Sequence, residues 1–170
     1  MNRTEVEDRI HQALAELTTN LGLSVTPRPV IVWDLKGTSV LGQAFGCKKI
    51  RLHAEALDKL GAQYLQTALH EAAHVAVSAL KAERGVYDRS GQWSSHGAVW
   101  QRAMRSIGLR PDRCATLPTG VNLTPARTVA RYVAKCACRD HVVTAVKAKK
   151  IETYVCRACN GPLILTGRAS

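Results

Sequence analysis

The chain has 170 residues, 46% hydrophobic and 22% charged, with a formal net charge of +11. That apolar content excludes an intrinsically disordered chain, and six cysteines are too sparse for a disulfide scaffold. No apolar run approaches the roughly 20 residues of a membrane span, and Arg3, Glu5, Glu7, Asp8 and Arg9 make the N-terminus too charged for a signal peptide, so a soluble, cytoplasmic protein is expected.

Val6, Ile10, Leu14, Leu17 and Leu21 recur every three or four residues, which predicts a helix over about 3–21 with Gly22 as its stop. Pro27 and Pro29 punctuate the chain before the β-branched run Val30-Ile31-Val32-Trp33, read as a strand. Residues 37–46, bounded by glycines, suggest a hairpin or loop, and the alternation over 49–53 suggests a second strand. A long helix is expected over about 61–83 and an aperiodic loop over 84–95. Ser94 or Ser95 would then cap a helix over about 96–108 that buries Val99, Trp100, Ala103, Met104 and Ile107. Residues 113–130 read as a linker between a core at 1–112 and a weakly alternating module at 131–170.

The long helix carries His70-Glu71-Ala72-Ala73-His74. Histidines at i and i+4 lie about 40° apart around a helix, so both imidazoles reach one ion. Glu71 lies about 60° from His74 and faces the same place. A catalytic zinc takes three protein ligands and keeps one open position, so a third ligand is needed. Glu83, nine residues past His74, falls half a turn away on the opposite face. A histidine six residues past the motif is absent, because position 80 is Leu. His96, at the start of the next predicted helix, is the best candidate. Zinc in such a site activates water and polarises a carbonyl, and Glu71 would take the proton and deliver it to a leaving amine. That chemistry is peptide hydrolysis. An oxyanion donor is also expected; Tyr87 and Trp93 lie in the right loop, but neither is assigned.

A second constellation follows. Cys136-Ala137-Cys138 and Cys156-Arg157-Ala158-Cys159 enclose seventeen residues, the pattern of a structural zinc ribbon. Four thiolates form the expected set, with His141 as an alternative that replaces one of them. Cys47 and Cys114 have no partner in either pattern and read as ordinary thiols.

Charge is unevenly placed. Residues 1–88 hold ten basic and ten acidic side chains, whereas 89–170 hold fourteen basic and three acidic. A one-sided excess suits a polyanion such as nucleic acid. Lys147, Lys149 and Lys150 fall between the cysteine pairs, with Arg131, Arg139 and Arg157 nearby. They are candidates for phosphate contact, or else the solvated tip of the ribbon.

Taken in order, these residues resemble the SprT family, the zinc-protease-like proteins that include the Spartan DNA–protein crosslink proteases. The resemblance rests on Val30–Trp33, Leu41-Gly42-Gln43-Ala44-Phe45-Gly46, Ile50–Leu52, the His70–His74 motif and His96-Gly97-Ala98-Val99-Trp100 with Met104. It continues through Tyr132, Cys136, Cys138, His141, Tyr154, Cys156 and Cys159. It departs at His53, where the family often has Asn, and in a somewhat long gap between His74 and His96. The resemblance implies an α+β fold: a zincin-like core of the minigluzincin type, with a small antiparallel sheet and an active-site helix, plus a C-terminal zinc ribbon. It implies a catalytic zinc on His70, His74 and His96 with Glu71 catalytic, a structural zinc on the cysteines, and Trp100 as packing. It also implies proteolysis linked to DNA. The expected partner is DNA, single-stranded DNA included, and the expected state a monomer in the cytoplasm: nucleoid-associated in a bacterium, or in the host cytoplasm if viral. The competing reading is a non-enzymatic nucleic-acid-binding module on a zincin scaffold. A third, a regulatory peptidase that cleaves a repressor, is disfavoured because it needs no ribbon.

Overall fold

The structure, a computed structural model, describes residues 1–86, 91–113, 117–125 and 131–168. The chain divides into two compact units, Met1–Ala126 and Arg127–Ser170. Tyr87 and Cys114 lie outside the described residues.

In the first unit the apolar stripe forms helix α1 (Arg3–Leu21), which buries Val6, Ile10, Leu14, Leu17 and Leu21. Asn2 accepts from the Glu5 amide while Glu5 accepts from the Asn2 amide, so a reciprocal cap satisfies two free N–H groups. Gly22 ends the helix at φ 67°, a left-handed conformation that glycine adopts without strain. Three short strands follow: β1 (Val30–Val32), β2 (Gly42–Phe45) and β3 (Lys49–Leu52). Their order is β1-β3-β2, with β2 antiparallel to β3. The sheet is mixed rather than antiparallel, because β1 runs parallel to β3. β2 occupies the second half of the segment expected as a hairpin or loop. Its Gly and Gln conceal the strand from a pattern of hydrophobic alternation. In β3 that alternation holds: Ile50 and Leu52 are buried.

A short helix that the periodicity misses, α2 (Ala54–Leu60), starts at His53. The His53 ring accepts from the Ala56 amide through Nδ1 and donates to the Gly37 carbonyl through Nε2. Imidazole thus serves as a cap in place of the usual hydroxyl or carboxamide. Helix α3 (Tyr64–Glu83) begins three residues later than expected, after a tight turn at 61–63, and α4 (Ala98–Ser106) follows. Neither Ser94 nor Ser95 caps α4. Gly97 does so without a side-chain bond, because its amide closes a turn onto the Ser94 carbonyl. The buried face is the expected one, with Val99, Trp100, Ala103 and Met104 inside and Ile107 partly so.

All four helices and β3 contribute to one core. Leu123 is buried in it too, and Thr124 donates to the Glu55 carboxylate through both its amide and its hydroxyl. The stretch from Leu117 to Pro125 therefore packs onto this unit.

The second unit is a three-stranded antiparallel sheet in the order β5-β4-β6, from β4 (Arg131–Lys135), β5 (Asp140–Thr144) and β6 (Ile164–Arg168). A one-turn helix, α5 (Ala145–Ala148), interrupts the stretch between the cysteine pairs. Its core is small: Ala134, Val143, Cys156 and Leu163. Among the described residues, no helix is long and apolar enough to cross a membrane.

Candidate metal centres

Two faces of the first unit meet at α3. One turn of that helix places His70 and His74 side by side, and the stretch entering α4 brings His96 to them. The three Nε2 atoms stand 3.1, 3.2 and 3.3 Å apart. Zn–N bonds of about 2.0–2.1 Å in tetrahedral array put ligand nitrogens roughly 3.3 Å from one another. The donor set therefore fits a metal ion. Hydrogen bonds alone do not account for it, since an Nε2 that carries a proton has no lone pair left to accept with, and three mutual Nε2 contacts therefore cannot all be hydrogen bonds. Burial pushes His70 down to about 4 and His74 down to about 3. His96 is lowered as well, first by burial and then by the charge of Arg113. All three therefore present neutral imidazole. The His70 ring is further oriented by a hydrogen bond to the Asp112 main chain. Beneath them lies Trp100, fully buried, with ring centroids 4.8, 5.3 and 4.6 Å from those of His70, His74 and His96. It packs against all three ligand candidates.

Glu71 is only 7% exposed, and burial pushes its carboxyl up to about 7, against the pull of a hydrogen bond from the Ala44 main chain. The carboxyl sits between α3 and β2 because Gly42 leaves room for it. A Cβ at position 42 would stand 2.8 Å from Glu71 Cγ and 3.0 Å from Oε1. The sheet is held in place by Tyr64, whose hydroxyl accepts from the His53 amide at 2.7 Å and donates to the Leu41 carbonyl at 2.6 Å. A cleft of about 820 Å³ runs over the three histidines and Glu71, with β2 along one wall. Lys81, Asp112 and Arg113 also line it. Sequence reasoning missed these three and Gly42. Lys81 was within reach, being seven residues past His74 on the same helical face. Asp112 and Arg113 follow α4 with no periodic signal. Glu83, excluded above by helical phase, accepts from the Ser24 amide and hydroxyl. Trp93 lies in the cleft wall, and its carbonyl accepts from Lys81.

In the second unit the four sulfurs of Cys136, Cys138, Cys156 and Cys159 lie within 4.8 Å of one another, a cluster that could hold a metal ion. His141 is a fifth donor, its Nε2 being 3.2 Å from Cys136 Sγ. Hydrogen bonding to His141 lowers the Cys136 thiol, whereas the neighbouring cysteine sulfurs raise that of Cys138. The six basic candidates are all exposed. Arg139, Lys147 and Arg157 share a hollow of about 640 Å³ with His141 and Tyr154, and Lys147 lies 5.8 Å from the Tyr154 ring centre. Arg131, Lys149 and Lys150 stand outside that hollow. Cys47 packs against the first core as an ordinary thiol.

No family model matches the chain, and no solved structure matches it. Among curated proteins, it is 29% identical over 147 residues to Protein SprT of Pseudomonas syringae pv. syringae (strain B728a), covering 82% of each chain. The same identity and coverage hold for Protein SprT of Pseudomonas savastanoi pv. phaseolicola (strain 1448A / Race 6) and of Pseudomonas fluorescens (strain Pf0-1). The likeness runs through most of each sequence and supports membership of the SprT family.

Proposed function

We propose that this protein is a zinc-dependent endopeptidase that acts on proteins associated with DNA, crosslinked ones included, and that its ribbon contacts the nucleic acid. The observation that carries the reading is the triangle of Nε2 atoms, 3.1–3.3 Å on a side, with a buried carboxyl beside it in an open cleft. His70, His74 and His96 would hold the zinc, which supplies Lewis acidity for activating water and polarising a peptide carbonyl. Glu71 accepts the proton of the attacking water and returns it to the leaving amine. The Gly42 gap keeps that carboxyl on the cleft side of α3, and Trp100 keeps the rings from turning away. β2 lies at the edge of its sheet, so its outer main-chain groups are available to an extended polypeptide. In the second unit Cys136, Cys138, Cys156 and Cys159 would hold a structural zinc. Support for nucleic acid as partner comes from the exposed Arg139, Lys147 and Arg157 around a tyrosine.

The test compares the wild-type chain with Glu71→Gln on a basic DNA-binding protein, with and without single-stranded DNA. Loss of the proton acceptor is expected to slow cleavage by about 10²–10⁴-fold, and DNA is expected to accelerate the wild type. Equal cleavage by the two proteins would sink the catalytic assignment. Cleavage indifferent to DNA would remove the coupling to nucleic acid and leave the peptidase.

A further inference from the structure

Two of the three facing imidazoles sit on one helix, where their spacing is fixed by backbone hydrogen bonds. The third does not. His96 lies thirteen residues beyond the last residue of α3, on the non-helical stretch that enters α4. A ligand on such a segment would lose much of its advantage to conformational freedom unless the segment were tied down.

The ties are visible. Lys81 reaches from the last turn of α3 and donates through Nζ to the Trp93 carbonyl, three residues before His96. The Ser94 amide donates to the Gly91 carbonyl at 3.2 Å, and the Gly97 amide to the Ser94 carbonyl at 3.0 Å. Gly97 is seated so closely that a Cβ there would meet the Gly91 and Gln92 carbonyl oxygens at 2.5 and 2.6 Å. Gln101 then donates to the His96 carbonyl at 3.2 Å. Of these contacts, the Lys81 bond crosses from the helix bearing His70 and His74 to the turn bearing His96. The others are internal to residues 91–101.

We infer that Lys81 is a positioning residue for the three-histidine centre, fixing the 91–96 turn to α3 and so holding His96 at bonding distance from a metal ion. It acts through the Trp93 carbonyl rather than as a ligand. The inference rests on the reading of His70, His74 and His96 as metal ligands, but not on peptidase activity.

The test measures zinc affinity of the full chain by chelator competition, with the ion of the cysteine cluster as internal control. Lys81→Met keeps the aliphatic stem and removes the donor. It is expected to weaken zinc binding at the histidine site by about 10–100-fold, the range usual for outer partners of metal ligands. The cysteine site should be unaffected. Lys81→Arg, which restores a donor, should recover most of the loss and guards against a folding defect in Lys81→Met. The same change made in a His96→Ala background should have no further effect, because the residue it positions is gone. A merely structural lysine would not show that coupling. Wild-type affinity in Lys81→Met, or an equal loss in the His96→Ala background, would overturn the inference. A wild-type chain that binds zinc only at the cysteines would overturn it too, and the ligand assignment with it. Intact zinc binding without proteolysis would count against the peptidase alone.

Discussion

At the scale of single residues the first unit is governed by contacts with no room to spare. Gly42 leaves a gap that the Glu71 side chain occupies, so Gly42→Ala must push either the strand or the carboxyl. Helix α3 is buried along much of its length, and the atoms nearest a Cβ at position 42 belong to Glu71 and Thr67 rather than to a histidine, so metal binding should survive the change. Displacement of order 1 Å is enough to cost about 100-fold in rate. The expected outcome is therefore a kcat lower by about that factor at unchanged zinc stoichiometry, read by steady-state kinetics beside metal analysis. Unchanged kcat would show that the strand yields instead. The sequence makes His70, Glu71 and His74 legible because one helix determines their geometry. His96 is legible by elimination and by the resemblance of the segment it opens, since no helical spacing marks its approach to α3. The Gly42 gap is invisible in the sequence: it comes from two elements packing together, and no spacing within one of them records it.

Among elements, the stretch from Leu117 to Pro125 is the clearest case of tertiary packing overriding composition. Two prolines, a glycine and no apolar periodicity suggest a connector, yet Leu123 fills the core and Thr124 is bound by Glu55. Lys59 adds an ion pair to Glu55 at 2.8 Å and a hydrogen bond to the Asn122 carbonyl. Hydrogen bonds from Lys59 and Thr124 hold the Glu55 carboxyl down to about 2. A carboxylate with a depressed folded-state pKa contributes stability that is complete above its unfolded value, near 4.5, and fades as pH falls through about 2. The segment should thus stay docked through mild acid and loosen only below about pH 4. Amide exchange at Thr124, followed against pH, checks this. Protection already lost near pH 6 would show that Glu55 is not what holds it. Helices α1, α3 and α4 were readable because each buries one periodic face. The seven-residue α2 was not, because its histidine cap is not among the usual helix-start residues.

Across the whole molecule, the two units differ in what keeps them folded. The first has a broad core drawn from four helices and a sheet, while the second, among its described residues, buries Ala134, Val143, Cys156 and Leu163. A core that small does not balance the ordering of some forty residues, so a metal ion on the cysteines would supply most of the folding free energy. Chelation is expected to unfold residues 131–168 while α1 to α4 persist, a split visible as selective loss of dispersed NMR signals. Loss of both sets together would show that the units fold as one. The expected consequence for thermodynamics is that no single melting temperature should describe this protein. The transition of the second unit should climb with free metal, gaining about 1.4 kcal/mol for every tenfold rise above the dissociation constant. The first unit, stable on its own packing, should answer metal only as a folded protein answers a ligand. Two heating transitions, their separation set by a dissolved ion, are the expected outcome of the uneven division of buried surface between the two units.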